Sequence, residues 1–293
     1  MAERSFKDHA VIITGASSGI GEALAYLLSD QGAWLALAAR SVDKLNAVAA
    51  ECERRGPSGH PEGSLSGSPK GGTKAIAVPT DVSDEAQCKR LIERTVEQYG
   101  RIDMLINNAG FSVTALFEDL PDLAGFREVM DTNLMGGIYC TYYALPHLKQ
   151  SRGRIVGVSS VSGKLPLPFN SAYSASKHAM AGFFDTLRVE LADSGVTVTM
   201  AYPDFVVTGF VANSRNASGR RRGENAAKRF YTDKMMKADT CARLILEAAA
   251  QRKRELITST RGKLAGWGKL VSPRLMDSLM KKAVTRRRRP TPP

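Results

Sequence analysis

Short apolar runs alternate with longer stretches of helical periodicity through the first two thirds of the chain. The runs are apolar almost throughout, as in strands that are covered on both faces of a sheet. Strands that alternate with helices in this way predict a parallel sheet flanked by helices. The strand candidates are residues 10–14, 33–39, 74–78, 103–108, 154–160 and 196–202, and a seventh near 255–258 would complete a seven-stranded sheet.

The helical stretches between these runs are predicted near residues 19–31, 42–55, 83–99, 124–149 and 171–194. The third stretch begins at Ser83 and continues with two acidic residues. We expect Ser83 to be the N-cap, because a side-chain oxygen there accepts from a free helix amide and acids in the first turn favour the helix dipole.

Three segments depart from this rhythm. Residues 56–72 consist almost entirely of Gly, Ser and Pro, which predicts a mobile surface loop. Residues 209–235 are polar and basic and then amphipathic, which predicts a mobile segment outside the core. The third segment, residues 261–293, is a basic tail. We therefore divide the chain into a globular unit, residues 1–260, and this tail.

The distribution of charge supports this division. The formal net charge is +12 over 293 residues. Residues 261–293 hold ten Lys or Arg against one acid, and residues 215–229 hold six against one, so the rest of the chain is slightly negative. No recognised nucleic-acid module accompanies the arginines, and we do not expect a nucleic-acid partner.

Cysteine and histidine positions give no reason to expect a metal. Cysteines 52, 88, 140 and 241 have neither paired nor metal-ligand spacing, which favours reduced thiols in a cytoplasmic protein. His147 and His178 lie on predicted helices without a metal-like partner. We expect no secretory signal in the charged residues 1–9, and no later stretch is apolar for long enough to span a bilayer.

A glycine-rich turn follows the first strand. Its spacing, Gly15-xxx-Gly19-x-Gly21, is neither the six-residue dinucleotide fingerprint nor a Walker loop. Glycines at a strand-to-helix turn let the backbone approach a pyrophosphate that faces the helix N-terminus. A purely structural turn is the alternative at this point.

The end of the second predicted strand is where NAD and NADP are distinguished. An acid there would accept a hydrogen bond from a ribose 2′-hydroxyl, which Ala39 cannot do. Arg40 instead offers a fixed cation with several donors, suited to a 2′-phosphate. NADP(H) is the favoured cofactor, and an exposed arginine without a ligand is the alternative.

Several motifs together resemble the short-chain dehydrogenase/reductase (SDR) family. They fall in the family's order over residues 8–260, and Ser160 lies thirteen residues before Tyr173, as in the family. The resemblance implies one doubly wound Rossmann-type α/β domain, with sheet and active site in a single unit. The motifs are Thr14-Gly-x-x-x-Gly-x-Gly21, Asp81-Val82, Asn107-Asn108-Ala109-Gly110, Asn133, Ser160, Tyr173-x-x-x-Lys177 and Pro203.

The same resemblance implies the cofactor contacts. Asp81 and Val82 would meet the adenine, and Val206 and Thr208 would approach the nicotinamide carboxamide. The remaining contacts implied are Gly15, Ser17, Ser18, Gly19, Ile20, Gly21, Asn108, Ala109, Gly110, Tyr173, Lys177 and Pro203. One position departs from the pattern, because the chain has Asp204 where the family usually has glycine after Pro203.

The catalytic residues predicted are Asn133, Ser160, Tyr173 and Lys177. Reduction of a carbonyl needs a proton on oxygen, and a free tyrosine, with a pKa of about 10, is a poor donor near neutrality. Lys177 shares a helix face with Tyr173, so we expect its charge to lower the tyrosine pKa. By the resemblance, Ser160 would hold the substrate oxygen, Asn133 would anchor a water, and Lys177 would bind the nicotinamide ribose.

Residues 209–235 lie where the family carries its substrate lid. Apolar residues in and near this segment predict a rather hydrophobic ketone, aldehyde, steroid, retinoid or acyl substrate. These residues are Phe210, Val211, Phe230, Tyr231, Met235 and Met236 in the lid, and Leu165, Leu167 and Phe169 before Tyr173.

The basic tail shows apolar residues at helical spacing, including Leu264, Trp267, Val271 and Leu275. With its lysines and arginines it resembles a basic amphipathic element at a membrane surface. A helix docked on its own domain or on a dimer partner is the alternative. Family members usually pair through the long helices, so a homodimer or homotetramer is expected.

These observations predict an NADP(H)-dependent oxidoreductase that acts on a carbonyl or alcohol, with Tyr173 as general acid/base. A catalytically weak SDR-fold binding or scaffold protein, recruited to a membrane by its tail, is the alternative.

Overall fold

The computed structural model describes residues 6–56, 72 and 74–288. Its main sheet has seven parallel strands in the order β3-β2-β1-β4-β5-β6-β9, which confirms the predicted doubly wound architecture. A separate short parallel pair joins β7 to β8. The strands are β1 (Ala10–Thr14), β2 (Trp34–Ala39), β3 (Ala75–Pro79), β4 (Met104–Asn107), β5 (Arg154–Val158), β6 (Thr197–Tyr202), β7 (Val206–Val207), β8 (Met236–Lys237) and β9 (Glu255–Ile257).

Helices cover both faces of the sheet, because successive side chains of each strand point to opposite sides. In β1, Val11 and Ile13 pack with α1, α2 and α9, whereas Ala10 and Ile12 pack with α3, α5 and α6. The helices are α1 (Gly19–Asp30), α2 (Val42–Arg55), α3 (Glu85–Tyr99), α4 (Ala124–Met130), α5 (Gly136–Ser151), α6 (Ser171–Glu190), α7 (Phe210–Asn213), α8 (Gly223–Phe230), α9 (Ala238–Ala250), α10 (Thr260–Val271) and α11 (Pro273–Arg288).

The strand order reverses between β1 and β4. In the register of the sheet, Ile12 of β1 lies between Ala36 of β2 and Leu105 of β4. The chain leaves these neighbours in opposite directions, so a crevice opens beyond their carboxyl ends, where parallel α/β sheets bind ligands. The glycine-rich turn follows β1 at this point.

The N-cap prediction for α3 is wrong by one residue. The helix begins at Glu85, and the Asp84 carboxylate accepts from the Gln87 amide at 3.1 Å. The Ser83 hydroxyl instead donates to Asp81 at 2.7 Å. Asp84 is the stronger cap here because its charge also faces the positive helix terminus.

The helix predicted over 124–149 is interrupted. A π-helical turn, Asp131–Met135, joins α4 to α5 and contains Asn133. Such turns are frequent at functional sites. Sequence periodicity did not show it, because one extra residue in a helix leaves the apolar pattern on either side intact.

Residues 209–235 are more regular than the sequence predicted. They form α7 and α8, which enclose a small apolar cluster of Val211, Ala212 and Ala227. Arg215 further pairs with Glu128 of α4 and donates its amide to the Ser112 carbonyl at 2.9 Å. The flexible loop predicted at 56–72 lies largely outside the described residues, as do residues 289–293 of the tail. Within the part of the chain that is described, none of the helices has the length and apolarity needed to cross a membrane.

Candidate active site

Two close backbone approaches build the turn after β1. Gly15 has a φ of +67°, and a Cβ there would lie 2.8 Å from the Cα of Ala109. A Cβ on Gly21 would lie 2.2 Å from the Gly15 carbonyl oxygen. Neither position accommodates a side chain, because real Cβ atoms do not approach other heavy atoms so closely. The turn is therefore pressed directly against the end of β4.

Thr14 and Asn108 hold this approach together. The Thr14 hydroxyl accepts from the amides of Asn108 and Ala109 at 3.0 and 3.1 Å. The Asn108 side-chain amide donates to the carbonyls of Thr14 and Gly15 at 2.9 and 3.2 Å. The side chain of Asn108 thus braces the turn.

The N-terminus of α1 faces the crevice. Ser18 is its N-cap residue in an extended conformation, and within the described chain its hydroxyl caps none of the helix amides. Ser17, Gly19 and Ile20 are half-buried beside it, and Thr208 closes on Gly19 from the opposite side. Uncapped amides at a helix N-terminus are an anion-binding arrangement, so the residues present fit a pyrophosphate.

Arg40 directly follows β2 and is exposed. Its guanidinium lies 3.8 Å from one carboxylate oxygen of Asp81, and the other oxygen accepts from the amide and hydroxyl of Ser83. Val82 is buried behind them. The cation is thereby held at the rim of the crevice, one strand away from the glycine turn.

Ser160 and Tyr173 meet on the other side of the crevice. Ser160 lies in the turn after β5, and Tyr173 lies in the first turn of α6. The Ser160 side chain lies close enough to Tyr173 to act on the pKa of its phenol, and the Ser160 hydroxyl donates to that of Ser162 at 3.2 Å.

Burial controls the protonation of the tyrosine and the lysine. It raises the pKa of Tyr173 to about 12, although the hydrogen bond with Ser160 acts in the opposite direction. It lowers the pKa of Lys177 to about 8, because a charged amine is costly away from water. The expectation that Lys177 depresses the tyrosine pKa is wrong for this structure, since desolvation opposes the charged form of both groups.

The amine of Lys177 lies below the tyrosine ring, 5.7 Å from its centroid. It donates to the Val158 carbonyl at 2.9 Å. Gly110 leaves the space beside it, because a Cβ there would lie 3.5 Å from the amine and 3.0 Å from an Asn133 oxygen. Three predicted site residues therefore converge at one point.

Asn133 is fully engaged with protein groups. Its side-chain amide donates to the Phe111 carbonyl and the Ser176 hydroxyl, both at 3.0 Å. Its oxygen accepts from the Phe111 amide at 2.9 Å. The side chain fixes the π-helical turn against α6, and the water relay stays a prediction.

Aromatic side chains line the substrate side. Phe210 at the start of α7 packs on Tyr173, with ring centroids 5.5 Å apart. Phe169 has a φ of +67°, an unusual conformation for a bulky residue that costs on the order of 1 kcal/mol or more. Leu165 and Leu167 are half-buried next to it. An apolar wall beside a proton donor suits an apolar carbonyl or alcohol.

Asp204 points away from this wall, toward the tail. Its carboxylate accepts two hydrogen bonds from one Arg261 nitrogen, at 2.9 and 3.0 Å, and one from Ser259 at 2.8 Å. Pro203 and Val206 on either side are buried. Sequence reasoning singled out Asp204 but missed Arg261, whose only signal was its position in the basic tail. Among the described residues, no group of acidic, cysteine and histidine side chains could hold a metal.

Residues 9–219 match the family model described as short chain dehydrogenase. The chain belongs to the short-chain dehydrogenase family. It is 36% identical over 269 residues to the 11-beta-hydroxysteroid dehydrogenase A of Sesamum indicum, covering 91% of this chain and 73% of that protein. It is 44% identical over 198 residues to the 11-beta-hydroxysteroid dehydrogenase-like 3 of Arabidopsis thaliana, covering 68% of this chain and 59% of that one.

Solved structures share the fold of this short-chain dehydrogenase. An SDR from Burkholderia phymatum in complex with NAD superposes with a TM-score of 0.77 at 24% identity, covering 99% of this chain and 98% of that one. Levodione reductase superposes with a TM-score of 0.74 at 26% identity, covering 88% and 99%. The family consists of oxidoreductases that bind a nicotinamide cofactor, which the glycine turn fits.

We expect Lys177→Met to stabilise the protein without cofactor at pH 7 by about 3 kcal/mol, the cost of a pKa lowered from 10.5 to about 8. Between about pH 8 and pH 10.5, the unfolded chain binds more protons at this lysine than the folded chain does. The advantage of the variant should therefore shrink as the pH rises through this interval. Urea unfolding at several pH values measures this, with the exposed Lys149→Met as control, and a constant difference would contradict the assignment.

Proposed function

We propose that this short-chain dehydrogenase is an NADP(H)-dependent oxidoreductase that interconverts an apolar carbonyl compound and its alcohol. The observation that carries the proposal is the position of Tyr173, beside Ser160 and against the ring of Phe210. The cluster joins a proton donor, an oxygen-binding hydroxyl and an apolar wall. The names of the Sesamum and Arabidopsis relatives support a steroid-like substrate.

The chemistry divides between cofactor and protein. The bound nicotinamide supplies a hydride to the carbonyl carbon or accepts it from the alcohol carbon. Ser160 holds the substrate oxygen by a hydrogen bond, and the Tyr173 hydroxyl gives that oxygen its proton during reduction. A tyrosine with a pKa of about 12 is protonated at neutral pH, as a donor must be.

Lys177 stabilises the Tyr173 phenolate that forms when the tyrosine gives up its proton. Its amine lies close enough to Tyr173 to turn from the Val158 carbonyl toward the phenol. A cation in that position stabilises the phenolate that remains after proton transfer. The lid residue Phe210 excludes water from the same space, which strengthens this interaction.

Tyr173→Phe should lower kcat at least about 100-fold, the usual contribution of a positioned general acid. NADPH binding, followed by fluorescence, should stay within about threefold, because the ring still packs against Phe210. Tyr143→Phe, which removes a surface hydroxyl bonded to Glu85, is the control. A Tyr173→Phe enzyme with normal turnover of apolar ketones would refute the mechanism. Absence of turnover in the unmodified protein would favour the scaffold alternative.

Arg40 supports NADP(H) as the cofactor because it places a cation at the crevice rim after β2. Arg40→Asp should shift the ratio of kcat/KM for NADPH over NADH by about 10- to 100-fold toward NADH, as expected for loss of a charge-assisted hydrogen bond. Lys44→Asp makes the same charge change at an exposed position of α2 and should leave the ratio unchanged. Equal preference in Arg40→Asp and the unmodified enzyme would overturn the NADP assignment.

The tail supports a peripheral membrane location for an otherwise cytoplasmic protein. Leu264, Trp267 and Val271 form an exposed apolar stripe at helical spacing on α10, with Trp267 70% and Val271 82% exposed, and Leu275 of α11 is also exposed. Basic residues flank the stripe along the tail, so an anionic lipid surface complements both its charge and its apolarity.

Trp267→Glu should reduce sedimentation with vesicles of phosphatidylglycerol and phosphatidylcholine at least about tenfold, because it inserts a charge into the apolar stripe. Phe117→Glu makes the same change at an exposed aromatic outside the tail and should bind like the unmodified protein. Binding should weaken with salt. If the unmodified protein stays in the supernatant, the stripe faces a protein surface.

The long helices support self-association as a homodimer or homotetramer. Tyr142 of α5 and Val189 of α6 are large apolar side chains that are 71% and 75% exposed. Pairing of these helices between two copies would cover both.

A further inference from the structure

Asp204 connects the loop after β6 to the beginning of α10. Its carboxylate accepts from Arg261 and from Ser259, while its amide donates to the Thr258 hydroxyl at 3.0 Å. The side chain of Asp204 is 13% exposed, whereas that of Arg261 is 67% exposed. A nearly buried carboxylate needs these donors, because burying it without them is costly.

Helix α10 is fixed at this place by further contacts. Ser259 is its N-cap and accepts from the Gly262 amide at 2.9 Å. A Cβ on Gly262 would lie 2.9 Å from a methyl group of Val161, so the helix backbone touches the turn that follows Ser160. Farther along, Lys269 donates to the Lys164 carbonyl at 3.1 Å. The helix therefore contacts both loops that carry the site, after β5 and after β6.

The contact continues from α10 into the lid through aromatic rings. The Arg261 guanidinium lies 5.0 Å from the centroid of the Phe205 ring. Phe205 packs edge-on against Phe230 of α8 at 5.1 Å, and Phe230 packs in the same way on Tyr231 at 5.4 Å. Stacking on a cation and edge-to-face packing both fix ring orientation.

The last step leads to the catalytic tyrosine. The Tyr231 hydroxyl accepts from the Val211 amide at 3.4 Å, in the short helix that begins with Phe210. Phe210 is the residue that covers Tyr173. A chain of direct contacts thus runs from the tail helix to the wall of the substrate site.

We propose that helix α10 is a working part of the substrate site, and that Asp204 and Arg261 are positioning residues that hold the lid in register for large apolar substrates. The inference rests on the proposed function for the identity of the substrate. It requires no contact between substrate and either residue. Small substrates, which bury little surface against the lid, should depend little on this connection.

The test compares Asp204→Asn, Arg261→Gln and Arg261→Lys with Arg254→Gln. Arg254 is an equally exposed arginine at the opposite end of β9, and serves as the control. Asp204→Asn and Arg261→Gln should each raise KM for a steroid-sized ketone about tenfold, as expected for a lost charged hydrogen bond, with kcat within about threefold. KM for a small aldehyde should not change. Arg261→Lys keeps the charge, so its KM for the large ketone should stay close to that of the unmodified enzyme.

Two further readouts separate the connection from general damage. The double variant Asp204→Asn with Arg261→Gln should be no worse than either single one, because both remove the same interaction. Hydrogen exchange of amides 205–231 should be faster in each single variant and unchanged in Arg254→Gln.

The exchange measurement does not depend on catalysis. Faster exchange in a protein that reduces no ketone would leave the connection standing and refute the proposed function. Unchanged exchange together with unchanged KM for the large ketone would overturn the connection while leaving the function intact. Equal rises in KM for large and small substrates would also overturn it, because they would indicate a general loss of structure. Arg261→Gln alone decides the matter if Asp204→Asn does not fold, since Arg261 is largely exposed.

Discussion

The close approach of two backbones beyond the sheet is the constraint on which the rest of the site depends. Gly15 and Gly21 bring the turn after β1 against the end of β4, and Asn108 bonds the two together. This contact forms the crevice at the reversal of strand order. The uncapped N-terminus of α1 and the exposed Arg40 then lie at the edge of the same crevice, so its shape follows from the packing of glycines.

Desolvation governs the opposite side of the crevice. The enclosure that raises the pKa of Tyr173 to about 12 also lowers that of Lys177 to about 8. Both groups are therefore biased toward their neutral forms before any ligand enters. In this state the Tyr173 phenol keeps its proton and can donate it, and charge on either group is stabilised only when a partner compensates it. Because Tyr173 and Lys177 lie one turn apart on α6, the lysine can supply this compensating charge to the tyrosine.

The tail and the lid are joined to the active site by direct contacts. By composition alone, the basic tail would be taken for an appendage outside the folded unit. In the structure, Arg261 in the first turn of α10 pairs with the nearly buried carboxylate of Asp204, next to the site. Phe205 and Phe230 extend that contact into the lid. The rest of α10 keeps an apolar stripe exposed, so one helix can both shape the site and face a surface outside the protein.

The sequence by itself determined the α/β architecture, because apolar runs buried on both faces and glycines at a strand end have few other uses. It also singled out Ser160, Tyr173 and Lys177 through motifs that resemble the family's, and Arg40 through its position after the second strand. The cap of α3, the π-helical turn at Asn133, the order of the lid and the partner of Asp204 were decided only in the tertiary structure. These features depend on which groups compete for the same hydrogen bond and which distant segments meet. Asp204 and Arg261 are 57 residues apart, and nothing local in the sequence indicates that pair.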